Sequence, residues 1–186
     1  VILTLIPFSP EKDLGAAYNA AMKRLRSGDW AVFLDHDAMF TTYGWHSQIA
    51  EAIKRHPDAW VFTCMTNRIM CKWQKVAGAD RCGHDIMHHR RLGGRLAAAH
   101  GSTAVKVTGR TPLSGVLMVV SFDRWKAGLR FESGFFGVDN ALHLLCRRKG
   151  GEVYLLRGLY VYHWYRGDGV RDQLKGVATA KSMKRG

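Results

Sequence analysis

The run Val32-Phe33-Leu34-Asp35-His36-Asp37-Ala38-Met39-Phe40 (VFLDHDAMF) sets an apolar segment directly before two carboxylates. Side chains on an extended chain alternate between faces with period two. Strand geometry carried through to Asp37 therefore puts Asp35 and Asp37 on one side and His36 on the other. Two carboxylates ~5 Å apart repel by ~3 kcal/mol at an effective dielectric of about 20, so the pair calls for a positive charge beside it. A hard divalent cation suits it best, because Mg²⁺ and Mn²⁺ prefer carboxylate oxygens.

On the N-terminal side of this run, ILTLIPF reads as a buried strand ended by Pro7 and Pro10. It has no charged leader or small-residue cleavage site, so it is expected to be a first core strand rather than a signal segment. Asp13 can cap a helix over Asp13–Arg26, where Leu14, Ala17, Tyr18, Ala21, Met22 and Leu25 recur at helical spacing. Beyond the acidic pair, a helix over Gly44–His56 and the strand AWVFTCM are expected. A helix over His84–His100 follows, interrupted at Gly93-Gly94, and then the strand GVLMVVS and a short helix near Phe122–Ala127. A last helix over Asn140–Lys149, closed at Gly150-Gly151, precedes the strands VYLL and LYVYHW. Strands alternating with helices predict an α/β fold: one domain with a mixed, mostly parallel sheet and helices on both faces. In such sheets ligands collect at the carboxyl ends of strands, where Asp35 and Asp37 stand.

The 186 residues suit one domain, and 47% apolar content is that of a globular chain. No apolar run approaches the ~20 residues of a membrane helix. A net charge of +13 predicts an anionic partner: nucleotide phosphates, nucleic acid, or an acidic membrane or glycan. Nucleic acid is the less favoured of these, because no basic groove interleaved with aromatics is present. The four cysteines, at 64, 71, 82 and 146, form no close pairs, which points to a reducing compartment, the cytoplasm, with peripheral membrane contact left open. Cys71, Cys82, His84 and His88 are a candidate zinc set, but their spacing matches no standard zinc module.

Two blocks carry a family resemblance. DLGAAYNAAMKRLRSGDWAVFLDHDAMF (13–40) resembles the segment of family-2-like glycosyltransferases of the GT-A, Rossmann-like fold, in which a Gly-Ala-Ala-x-Asn helix precedes an apolar strand ending in Asp-x-Asp. SGVLMVVSFDRWKAGLRFESGFFGVDNALHLLCRRKGGEVYLLRGLYVYHWYR (114–166) is similar to the carboxyl half of the polypeptide N-acetylgalactosaminyltransferases, in the same order and nearly the same spacing. The resemblance implies a GT-A domain over 1–166 and a basic tail or flap over 167–186. It implies a metal-dependent glycosyltransferase that moves a sugar from a nucleotide-diphosphate sugar to an acceptor hydroxyl, on a glycan, a lipid-linked molecule or another acceptor. The segment Asn67–Arg110 lies where relatives build acceptor loops, and its positive charge suggests an anionic one, an acidic glycan, a lipid phosphate or nucleic acid.

By the same resemblance Asp37 is the direct ligand of Mn²⁺ (or Mg²⁺). Asp35 holds sugar or ribose hydroxyls or a metal-bound water, and His163 supplies a third ligand that favours Mn²⁺. Asp139 faces the anomeric carbon and is the general base if configuration inverts. The family-2-like relatives carry Glu-Asp there and the N-acetylgalactosaminyl relatives Glu-Asn. Asp139-Asn140 therefore leaves inversion and retention both open. Pro7, Phe8 and Ser9 are expected at the base and ribose, Asn19 is the motif asparagine, and His36, Ser114, Gly115 and Arg166 complete the donor-binding set. Tyr18 stands where many relatives have an arginine, and the usual strand and helix before the Gly-Ala-Ala helix are missing, which weakens base recognition.

The plain readings stay beside these. Asp139 can simply cap its helix, His163 can be a core histidine, and Phe135 and Phe136 can be an acceptor platform or core. The alternatives in other classes are a catalytically idle sugar-nucleotide or glycan-binding domain and a nucleotidyltransferase.

Overall fold

The computed structural model describes residues 1–109 and 111–164, the side chain of Cys82 excepted. The tail expected over 167–186 lies outside the described residues.

Among the described residues seven strands form one sheet: β1 (Ile2–Leu5), β2 (Trp30–Leu34), β3 (Ala38–Phe40), β4 (Ala59–Thr66), β5 (Ala104–Lys106), β6 (Leu117–Ser121) and β7 (Glu152–His163). Their order is β1-β2-β6-β4-β7-β3, with β5 also pairing β7. The sheet is mixed, as expected, but mostly antiparallel. Only β1 with β2 and β4 with β7 run parallel, whereas β6 opposes both β2 and β4, and β3 and β5 oppose β7. Strand–helix alternation predicts parallel neighbours only when a single helix returns the chain between them. Between β4 and β6 the chain also makes two 3₁₀ turns (Lys72–Gln74 and Ala79–Cys82) and the short strand β5, so β6 enters from the opposite end.

Five helices were expected, and among the described residues five α-helices are present: α1 (Leu14–Met22), α2 (Trp45–Arg55), α3 (Ile86–His100), α4 (Phe122–Lys126) and α5 (Val138–Arg148). Asp13 caps α1 by accepting the Ala16 N–H at 2.8 Å. The two cores divide by residue parity along the strands. Ala31, Phe33, Met118 and Val120 pack with α1, α4 and α5, while Trp30, Val32, Leu117 and Val119 pack with Ile49 and Ala52 of α2. Helices therefore cover both faces, and β2 and β6 are buried on each.

Three local expectations change. β1 is an edge strand of the described sheet rather than a core strand, with Leu3 39% exposed. Gly93-Gly94 does not interrupt α3; a Cβ on Gly93 would sit 2.3 Å from Thr41 Oγ1, so the glycine serves close packing against the segment after β3. The two C-terminal strands are one twelve-residue strand, with a register shift where Cys64 pairs Leu156 and Met65 pairs Tyr160. Among the described residues no helix is long and apolar enough to cross a membrane.

Buried polar side chains fix the segment before β6. His143 of α5, fully enclosed, accepts the Leu113 N–H at Nδ1 (2.8 Å), and Asn140 Nδ2 donates to the Leu113 carbonyl (2.8 Å). Burial holds His143 neutral, pulling its pKa down to about 4, with Arg147 adding to the effect. A histidine depressed on folding costs stability as pH falls, because the unfolded chain takes up the proton first. Unfolding by urea is therefore expected to lose roughly 2 kcal/mol from this residue between pH 7 and pH 5. His143→Leu should lower stability at pH 7, by leaving the Leu113 N–H without its acceptor, and remove that part of the acid sensitivity.

Candidate metal centre and active-site cleft

The apolar run ends where the site begins. β2 stops at Leu34, and residues 35–38 make a turn closed by the Ala38 N–H on the Asp35 carbonyl (3.1 Å). Strand geometry therefore does not persist through Asp37, contrary to expectation. The turn aims both carboxylates inward by another route, because the chain re-enters the sheet as β3 and pairs with the far end of β7. In that pairing Ala38 lies opposite His163, and the Trp164 N–H donates to the Asp37 carbonyl (2.9 Å).

His163 Nε2 lies 3.0 Å from Asp37 Oδ1 and 3.8 Å from Asp35 Oδ2. One ligand atom from each of Asp35, Asp37 and His163 falls within 4.8 Å of the other two, and among the described residues no other group of three acids, histidines or cysteines does so. His163 Nδ1 lies 2.8 Å from the Arg68 carbonyl, which can only accept. Nδ1 therefore carries a proton and Nε2 is the nitrogen that faces the carboxylates, donating to Asp37 when the ring is protonated and offering its lone pair to a cation when that proton leaves. A ligating histidine with its second nitrogen tied to a carbonyl is a common arrangement in metal sites. Two carboxylate oxygens and one imidazole nitrogen can thus hold one divalent cation.

Asn67, fully buried at the end of β4, clasps the His163 backbone from both sides. Its Oδ1 accepts the His163 N–H (2.8 Å), and its Nδ2 donates to the His163 carbonyl (3.0 Å). Sequence reading passed over Asn67; its signal is an amide directly after an apolar strand, at the sheet's carboxyl edge. Gln74, also fully buried, was passed over as well. Its Oε1 accepts the Ser114 N–H (2.8 Å), and its Nε2 donates to the Ser114 carbonyl (3.1 Å) and to Thr63 Oγ1 (2.8 Å).

The triad opens into a cleft of about 430 Å³. Tyr18 of α1 and Ser114-Gly115 form part of its walls, with Asp139 and Asn140 of α5, Met70, and Phe135-Phe136. Asp139 does not cap α5. The N-cap is Gly137, in the left-handed region at φ 73°, and Asp139 sits inside the first turn with Oδ2 accepting the Gly115 N–H at 2.6 Å. A Cβ on Gly115 would come within 2.9 Å of Asp139 Cβ, so this close approach needs glycine.

Burial raises the Asp139 carboxyl, against the lowering effect of the Asn140 and Gly115 N–H groups. Burial also raises Asp35, and the neighbouring charge of Asp37 adds to it. Asp37 moves the other way: burial would raise it, but the hydrogen bond and charge of His163 outweigh that. For His163 itself burial pulls down, and the Asp37 partner more than restores it, leaving the imidazole raised. Tyr18 stays a neutral phenol, its pKa lifted by burial and by the charges of Asp35 and Asp139.

The other expected donor contacts divide. His36 lines the cleft with Nδ1 3.8 Å from Asp35 Oδ1, and Ser114 and Gly115 line it as described. Pro7, Phe8 and Ser9 follow β1 and lie outside the cleft lining, with Phe8 83% exposed. Asn19 also lies outside it and fastens loops instead. Its Nδ2 donates to the Phe131 carbonyl (2.8 Å), and its Oδ1 accepts from Trp125 Nε1 (2.9 Å) and the Phe131 N–H (3.2 Å). Arg166 falls outside the described residues. Phe135 and Phe136 are not core, being 47% and 85% exposed. Of the candidate zinc set, Cys71, His84 and His88 do not converge, and Cys82's side chain is outside the description.

No protein-family model matches the chain, and no curated protein matches its sequence.

Titration with Mn²⁺, followed calorimetrically, is expected to show one site that Asp37→Ala abolishes. Asn67→Ala, which frees the His163 backbone, should weaken it on the order of tenfold. Because the proton on the raised His163 competes with metal, affinity should fall as pH drops from 8 to 6.

Proposed function

We propose that the chain is a metal-dependent glycosyltransferase that uses a nucleotide-diphosphate sugar as donor. The observation that carries this reading is the convergence of Asp35, Asp37 and His163 at a cleft that also holds the half-buried carboxylate of Asp139.

The cleft's electrostatics support it. On a chain of net charge +13, the lining of this cleft carries three carboxylates and, among the described residues, no lysine or arginine. The overall field draws an anionic donor toward the protein, yet the cleft repels a diphosphate unless a cation occupies it. A divalent ion held by Asp35, Asp37 and His163 would supply Lewis-acid neutralisation of the departing diphosphate, with the imidazole favouring Mn²⁺ over Mg²⁺.

The chain's own groups do the rest. Asp37 and His163 lock each other in place, and Asp35 remains the more available carboxylate, free to take a sugar or ribose hydroxyl. Tyr18 offers a neutral hydroxyl from the side of α1. Asp139, raised by burial and steadied by the Gly115 N–H, accepts the proton of an acceptor hydroxyl as that oxygen attacks the anomeric carbon. This assignment corresponds to an inverting displacement. The exposed Phe135-Phe136 pair, edge-to-face with ring centroids 5.0 Å apart, stands at the mouth two and three residues before the α5 turn that carries Asp139.

A thermal-shift screen of nucleotide sugars with Mn²⁺ is expected to find a donor that stabilises the protein only when the metal is present. Turnover or slow hydrolysis of that donor should follow. Asp139→Asn should leave donor affinity within about twofold while slowing transfer by roughly 10²–10⁴. Binding with no turnover in any acceptor mixture would mark a sugar-nucleotide-binding domain instead, and release of pyrophosphate from a nucleoside triphosphate would mark a nucleotidyltransferase.

A further inference from the structure

A second hollow, of about 370 Å³, lies where β3 leaves the metal centre and the chain turns toward α2. Its lining includes Met39, Phe40, Thr42, Tyr43, Trp45 and, from the first turns of α3, Arg90. Phe40 and Trp45, both in its lining, stack with centroids 4.0 Å apart and planes 9° from parallel. Tyr43 is 91% exposed, so folding gains almost nothing from its ring. Yet the ring is not idle: its hydroxyl accepts from Arg90 Nη2 at 2.8 Å, and the guanidinium carbon lies 5.3 Å from its centroid.

That contact holds a guanidinium that has no acidic partner among the described residues. α3 contains no aspartate or glutamate, and Asp85 at its cap pairs with Arg91 at 4.0 Å. A charged fork pre-oriented by an exposed aromatic, beside a stacked aromatic pair, is built for a ring that carries a carboxylate. The apolar face of a sugar ring lies flat on aromatic side chains, and the guanidinium matches a carboxylate with two parallel hydrogen bonds. Gly93 is what lets α3 close on this segment, since a side chain there would strike Thr41 and Thr42.

We propose that this hollow is a second carbohydrate site, which takes a carboxylate-bearing sugar ring of the acceptor while another part of the same acceptor occupies the metal cleft. The acceptor part of this assignment rests on the glycosyltransferase reading; the binding part does not. Continuity along the chain supports it, because Asp37 lines the cleft and Met39, two residues on in β3, lines the hollow. An acidic glycan leaving the cleft along β3 arrives at Arg90.

The test is a ¹H–¹⁵N NMR titration without metal or donor. The probes are trimers of β-1,4-linked glucuronic acid and of galacturonic acid, with the neutral glucose trimer as control. An acidic trimer is expected to shift the Trp45 indole and Arg90 side-chain signals and to saturate in the millimolar range. Arg90→Gln and Tyr43→Ala, both at exposed positions, should each weaken it on the order of tenfold. Added salt should weaken it too, and the neutral trimer should bind more weakly than the acidic one. Binding should persist in Asp37→Ala. No shift with either acidic trimer up to about 20 mM, equal affinity for the neutral trimer, or loss of binding in Asp37→Ala would each overturn the proposal. A protein that binds the acidic trimer but no nucleotide sugar would keep this site and lose the transferase reading, and the converse result would do the opposite.

Discussion

The pairing of a three-residue strand with the end of a twelve-residue one holds the candidate site together. β3 sets Ala38 opposite His163, the Trp164 N–H reaches the Asp37 carbonyl, and Thr41 Oγ1 donates to the Tyr160 carbonyl (2.9 Å). These backbone contacts decide that an acid from the first quarter of the chain and an imidazole near the end of the described residues lie within hydrogen-bonding distance. Asn67 then fixes His163 from the neighbouring strand, so the imidazole is held by β3, β4 and its own strand at once. A strand as short as β3 has little pairing energy of its own. Its position depends on its neighbours, and Gly93 is part of that, because it lets α3 pack directly on Thr41.

The charge distribution follows from the same geometry. Burying Asp35 and Asp139 at the carboxyl edge of the sheet raises both carboxyls, and in Asp35 the presence of Asp37 adds repulsion. The protein offsets part of this with His163 and part with backbone N–H groups, notably that of Gly115. No lysine or arginine of the described residues enters the cleft lining, although the chain carries 28 of them. Basic residues stay outside, where they attract anions at long range, while the cleft keeps an unbalanced acidic pair. That division makes a divalent cation the natural complement of the cleft. It also separates the cleft from the Arg90 hollow, where the imbalance has the opposite sign.

Much of the fold could be read from one-dimensional pattern. The helix after Asp13, the helix closed by Gly150-Gly151 and the runs WAVFL and LMVVS are set by local propensity, capping and continuous apolarity, and they appear at those places. Expectations failed where they required knowing what lay alongside. Gly93-Gly94 looked like a break because glycine weakens an isolated helix; packed against Thr41, it is what the helix needs. Asn19 looked like a ligand contact, and its amide is used up between Phe131 and Trp125. Asn67 and Gln74 were invisible because a lone amide in a sequence does not say which backbone it will clasp.

By itself, then, the sequence determined the parts whose physics is local: the places of the helices, the Asp13 cap, the apolar strands, and an acidic pair just past the end of one of them. Tertiary structure alone decided strand direction, the turn that aims Asp35 and Asp37 inward, and the identity of their neighbours. Those depend on hydrogen bonds between backbones far apart in the chain, and no spacing of residue types encodes which distant peptide a strand will meet.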